Sequence, residues 1–179
     1  MNIELYNTLS GKKEVFKPLE EGKVKIYSCG PTVYSVAHIG NLRTFIMNDL
    51  LRRSLSFLGF GVEHVMNITD VDDKMIKKSQ AEGVTLKALG EKYEEIFWKD
   101  FDEVGNLRSH RIPHATDFID QIIELILTLI EKGAAYKTED GIYFDISKAE
   151  HYGALAKIDL SKAGKERITN DNYDKENPR

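Results

Sequence analysis

The stretch from Val24 to Asp70 constrains the fold more than any other part of the chain. It opens with VKIYS (24–28), a short run rich in β-branched and aromatic residues, and continues through a loop carrying Gly30 and Gly40. Leu42, Phe45, Ile46, Leu50, Leu51, Leu55 and Leu58 then recur at three- and four-residue steps. That spacing puts them on one face of a helix, predicted over 42–58 and closed by Gly59. GVEHVMNITD (61–70) predicts a second strand running into a polar loop. Strand, helix and strand in this order form a βαβ unit with a right-handed crossover and two parallel strands. The predicted class is α/β. In open sheets of this class ligands bind beyond the carboxyl ends of the strands, where the Cys29–Asn41 and Asn67–Asp73 loops would face one crevice.

Further along, TLKALGEKYEEIFWKDFDEVG (85–105) and ATDFIDQIIELILTLIEKG (115–133) predict two helices. NLRSHRIPH, with its helix-interrupting Pro113, separates them and reads as a loop. AAYKTEDGIYFDI (134–146) predicts a hairpin around Asp140-Gly141, and residues 161–179 hold few apolar side chains and predict an exposed loop.

Composition removes several classes of function. With 41% hydrophobic and 30% charged residues the chain belongs with globular proteins and not with disordered ones. Its longest apolar run, FIDQIIELILTLI, is broken by Asp120, Gln121 and Glu124, and the first residues lack the pattern of a secretory leader, so no membrane association is expected. One cysteine cannot form an internal disulfide, which suits a cytoplasmic protein. The net charge of −4 gives no bulk attraction to phosphate, and Arg52-Arg53, Lys77-Lys78 and Arg108–Arg111 read as solvated faces.

The residues with chemistry concentrate in the two loops. Neither G-x-G-x-x-G nor G-x-x-x-x-G-K-[ST] is present. His38 and Gly40 stand at the first turn of the predicted helix, where unpaired N–H groups and the positive dipole end favour an anion; the alternative is that His38 only caps the helix and Gly40 only makes the turn. Cys29 ends the first strand ahead of Gly-Pro, which directs its thiol toward the crevice, against the ordinary alternative of a small buried hydrophobe. NITDVDD gathers Asn67, Thr69, Asp70, Asp72 and Asp73, able to hold Mg²⁺, an ammonium group or the start of the next helix, for which one carboxylate suffices. His110 and His114 read as loop residues and not as a ligand pair.

Jointly, LYNTLSGKKEVFKP (5–18), YSCGPTVYSVAHIGNLRTF (27–45), FLGF (57–60) and NITDVDDKMIKKS (67–79) resemble the cysteinyl-tRNA synthetases, with weaker likeness through EKGAAYKTEDGIYFDI (131–146). The resemblance implies the first half of a class I synthetase Rossmann-type catalytic domain over 1–84. It further implies a connective insertion of two helices and a hairpin over 85–160, and a loop over 161–179 leading to a missing second half. His38 and Asn41 would be catalytic, standing in a motif usually written His-Ile-Gly-His. Pro31, Thr32, His38, Gly40 and Asn41 would bind ATP, delivered with Mg²⁺. Cys29, Gly30, Thr69 and Asp70 would bind substrate cysteine, Cys29 as one ligand of a single zinc ion whose open position takes the substrate thiolate. A soft thiolate outcompetes a serine hydroxyl at zinc, so selection needs no editing site.

The implied partners are tRNA-Cys, ATP and L-cysteine, and the implied state is a cytoplasmic monomer. The family's remaining zinc ligands and its Lys-Met-Ser-Lys-Ser loop fall beyond Arg179, so this N-terminal portion is expected to be inactive alone. Two other functions fit: an ATP-dependent ligase joining cysteine to an amino sugar in mycothiol synthesis, and a truncated, non-catalytic binding module. A generic nucleotidyltransferase of the same superfold would need the phosphate loop but no cysteine.

Overall fold

A computed structural model describes residues 3–139 and 141–157, so the expectation for 161–179 lies outside the described residues. The chain divides into two compact units, one containing Lys17–Glu124 and the other containing residues 3–16 and 125–157.

In the first unit, β3 (Lys23–Ser28) pairs with β4 (Gly61–Met66) in parallel, with Lys23 opposite Gly61 and Ser28 opposite Met66. The crossover is α1 (Ile39–Phe57), ended by a left-handed Gly59 at φ +90°. The predicted α/β class and parallel pair are therefore present. The helix begins three residues before Leu42, because the polar residues of its first turn carry its cap and not its apolar stripe. A cap is chosen by hydrogen bonding, which periodicity does not record.

The segment read as a loop around Pro113 is extended and runs parallel along the outer edge of β4. Val65 bridges Arg111 and Ile68 bridges His114, while Met66 and Ile68 donate backbone N–H groups to the carbonyls of Arg111 (3.1 Å) and Pro113 (2.8 Å). Proline lacks a donor but not an acceptor, so at a sheet edge it costs no ladder bond on the paired side. The arginines of α1 tie this segment down: Arg52 donates to the carbonyls of Leu107 and Arg108, and Arg53 to that of Gly105.

Two further helices complete this unit's core. Asp72 accepts from Met75 N–H at 2.8 Å to start α2 (Asp73–Glu82), and Thr85 accepts from Ala88 N–H to start α3 (Leu86–Glu103). Together α1, β4, α2 and α3 bury Phe45, Met66, Met75, Leu89, Phe97 and Phe101, joined by Val33 from the loop after β3 and Ile68 from the loop after β4. Phe97 stands edge-on to Phe45 at 5.1 Å and touches Phe101 at 5.4 Å, so α1 and α3 meet through aromatic rings. Phe97→Ala should cost about 3–5 kcal/mol in chemical denaturation, whereas Phe57→Ala, at a ring 88% exposed, should change stability by less than about 0.5 kcal/mol.

In the second unit β1 (Glu4–Asn7) and β2 (Lys12–Val15) form an antiparallel hairpin, and so do β5 (Ala135–Lys137) and β6 (Ile142–Phe144), the latter as predicted. The first hairpin has no apolar alternation to announce it. Its signal is the turn: Asn7 Oδ1 accepts from Leu9 N–H at 3.0 Å, and Gly11 takes a left-handed φ of +71°. The predicted helix over 115–133 resolves into a 3-10 turn (Ala115–Phe118) and α4 (Ile119–Glu131), of which the part up to Glu124 belongs to the first unit.

Candidate functional site

The loops leaving the carboxyl ends of β3 and β4 are laced together and do not merely face each other. Thr69 donates its N–H to Pro31 O at 3.0 Å, Val33 donates to Thr69 O at 3.1 Å, and Thr32 bridges Thr69 in parallel. The closest approach falls at Gly30, where a Cβ would stand 1.7 Å from the Asn67 carbonyl oxygen. Only glycine fits there.

Asn67 organises the junction. Its Oδ1 accepts from Gly30 N–H (3.2 Å) and from the Tyr27 hydroxyl (3.0 Å), and its amide donates to Thr69 Oγ1 (3.1 Å). The sequence marks Asn67 only as one polar residue in a cluster. Its three-way role depends on Gly30 standing opposite, which spacing within a single loop does not express.

Cys29 is exposed, and its thiol makes one weak contact with Gly30 O at 3.6 Å. The thiol is turned to solvent and not into an apolar layer. Among the described residues no group of three or more His, Cys, Asp or Glu is placed to hold a metal ion. Cys29 can therefore supply one thiolate, but the described residues complete no zinc site.

At the start of α1, the structure forms the capping alternative for His38 and Gly40. His38 Nδ1 accepts from Gly40 N–H at 3.0 Å, while Asn41 Oδ1 accepts from His38 N–H at 3.1 Å, a reciprocal capping box. The imidazole folds against Gly40, where a Cβ would lie 2.9 Å from His38 Cε1. Because Nδ1 accepts, the neutral ring carries its proton on Nε2. The exposed helix start thus presents that Nε2–H and the Asn41 side-chain amide at its positive dipole end, while the backbone N–H groups of Gly40, Asn41 and Leu42 are already bonded to His38.

Asp70 is engaged elsewhere: its carboxylate accepts from Thr116 N–H at 3.0 Å and from the Thr116 hydroxyl. It lines a cleft of about 580 Å³ with Leu86, Gly90, Glu94, His114 and Thr116. There His114 Nε2 lies 2.9 Å from Glu94 Oε2. Burial alone would lower the His114 pKa, but the Glu94 hydrogen bond and charge, aided by Asp70 and Asp117, leave it raised. His64, buried between strands, shifts the other way, lowered by burial first and then by Arg52 and His110 against the opposing Asp49.

The two histidines therefore act on stability with opposite signs. The folded state holds the His114 proton more tightly than the unfolded chain. Its contribution is full below the ordinary histidine pKa of about 6.5 and is lost as pH rises through the raised value. His64 contributes fully above about 6.5, and its contribution falls as pH drops toward its lowered value. His114→Gln should thus cost more stability at pH 5.5 than at pH 8, read as the difference in thermal midpoint from the unsubstituted protein. An equal cost at both pH values would contradict this assignment.

Residues 15–179 match the family model described as the tRNA synthetases class I (C) catalytic domain. The chain is 46% identical over 179 residues to a cysteine–tRNA ligase of Methanosarcina acetivorans and 48% identical over 179 residues to one of Chlamydia trachomatis. In each case 99% of this chain is covered, and it spans 38% and 37% of the relative's length. Among solved structures, the LeuRS of Agrobacterium radiobacter K84 in ternary complex with tRNA and LeuAMS matches 67% of this chain and 16% of its own at a TM-score of 0.56. At 21% identity that likeness concerns the fold alone.

Proposed function

This chain belongs to the class I (C) tRNA synthetase catalytic-domain family, and from that premise we propose that the protein it represents is a cysteine–tRNA ligase. The intact protein would activate L-cysteine with ATP to cysteinyl-adenylate, releasing pyrophosphate, and then pass the cysteinyl group to the terminal adenosine of tRNA-Cys. The observation that carries the reading is the laced junction. It holds the exposed Cys29 thiol and Thr69 on two loops joined by the Thr69–Pro31 and Val33–Thr69 hydrogen bonds.

Within this proposal Cys29, Gly30 and Thr69 bind substrate cysteine, Gly30 by permitting the approach of the two backbones. Asp70 shapes the site through Thr116. His38 and Asn41 act on the ATP phosphates as donors at the helix start, and Gly40, Pro31 and Thr32 set the path of the loop around them. ATP would arrive with Mg²⁺. Zinc would supply a soft Lewis acid for the substrate thiolate, held by Cys29 and by ligands from the rest of the longer protein. The boundary at 84/85, with 85–160 as connective insertion and 161–179 as a loop onward, belongs to the same proposal, as do a monomeric state and a cytoplasmic location. No helix among the described residues is long and apolar enough to cross a membrane.

Acceptor choice tests the reading against its nearest rival. The full-length protein, given ATP and cysteine, should charge tRNA-Cys and leave an amino-sugar acceptor unmodified. Transfer to the amino sugar, with none to tRNA, would assign it to the mycothiol type of ligase.

A further inference from the structure

We propose that His64 is a positioning residue for the substrate-cysteine site, acting through Ser28 on the backbone that carries Cys29; this rests on the cysteine-ligase reading above. His64 lies in the central strand β4, 3% exposed, and its two ring nitrogens reach to either side. Nε2 is 2.8 Å from Ser28 Oγ on β3 and Nδ1 is 3.2 Å from Ser109 Oγ on the extended segment, both serines being buried. The imidazole therefore cross-links all three strands. Its backbone is fixed as well: His64 N–H donates to His110 Nδ1 at 2.9 Å, and His64 O accepts from His110 N–H at 2.9 Å.

What gives this chain of bonds a bearing on substrate is its end point. Ser28 is the last residue of β3 and Cys29 is the next. On the other side of the thiol, Gly30 N–H is held by Asn67, which follows directly on β4. The backbone flanking Cys29 is thus pinned on both sides to a single strand and its loop. The thiol itself has only the weak contact with Gly30 O, so its place is set by those two pins. The His38–Asn41 set has its own capping box and includes no bond to His64, Ser28 or Ser109. Loss of the His64 link should therefore weaken cysteine binding and spare ATP binding.

Calorimetric titration of the full-length protein with L-cysteine and with ATP reads this directly. Ser28→Ala should weaken cysteine binding by about five- to tenfold, the loss expected for one buried hydrogen bond, and His64→Phe, which removes the bonds to both serines, by at least as much, while both leave ATP binding within about twofold. Ser28→Thr, which keeps the hydroxyl, should return cysteine binding to within about twofold of the unsubstituted protein. If His64→Phe does not fold, the Ser28→Ala and Ser28→Thr pair decides alone. Cysteine and ATP affinities that fall together, a cysteine affinity that does not move, or a failure of threonine to restore it would each overturn the assignment. An unsubstituted protein that binds ATP but no cysteine would instead overturn the ligase reading on which it rests.

Discussion

Gly30→Ala should destabilise the protein by more than about 3 kcal/mol and abolish cysteine binding in whatever folded fraction remains. The added Cβ would lie 1.7 Å from the Asn67 carbonyl oxygen and 2.9 Å from its carbon, both backbone atoms, with Met66 Cγ at 3.1 Å. A flexible side chain could swing away, but here two strand ends must separate. Separation breaks the Thr69–Pro31, Val33–Thr69 and Gly30–Asn67 hydrogen bonds together, each contributing about 1 kcal/mol net. Gly22→Ala provides the comparison: its φ of +72° makes alanine strained by about 1–2 kcal/mol, but nothing lies within 4 Å of the new methyl group. Urea unfolding of the two variants should therefore differ clearly. A Gly30→Ala loss no larger than that of Gly22→Ala would contradict the close approach on which the junction depends.

The second large effect separates two duties of one side chain. His38→Ala removes both the cap on Gly40 N–H and the Nε2 donor, and should cost about 1 kcal/mol of stability along with a 10²- to 10³-fold loss of adenylate formation. His38→Ser restores a capping oxygen at the same position but no donor that reaches as far as Nε2. It should recover the stability and leave the activity lost. Thermal midpoint and the rate of pyrophosphate exchange into ATP, both measured on the full-length protein, give the two readings. Recovery of activity by serine would reduce His38 to a helix cap.

These effects also mark how far the sequence could be read. The parallel pair, α1 and the hairpin over 134–146 were legible because hydrophobic periodicity and turn residues are local signals, and Gly59 closes α1 as its spacing requires. The edge segment at 109–115 was not, since Pro113 signals interruption in a helix and says nothing against an acceptor-only position along β4. Nor was the division of labour in NITDVDD. Asp72 caps α2 through the nearby Met75 N–H, a local role that the motif allows, but Asp70 holds Thr116 and Asn67 ties Gly30 to Thr69, and these two roles depend on partners 46 and 37 positions away. The sequence marks His64 only as a strand residue. Its value lies in two serines that are 36 and 45 positions away. The contact of α3 with α1 through Phe97 and Phe45 was equally hidden, since it joins residues 52 positions apart.

Amino-acid-dependent exchange of pyrophosphate into ATP tests the proposed selection of cysteine by its thiol at this junction. With zinc present, the full-length protein should support exchange with L-cysteine and not with L-serine, and Cys29→Ser should reduce the cysteine rate by at least about 100-fold. Equal exchange with serine, or a Cys29→Ser variant as active as the unsubstituted protein, would contradict the account.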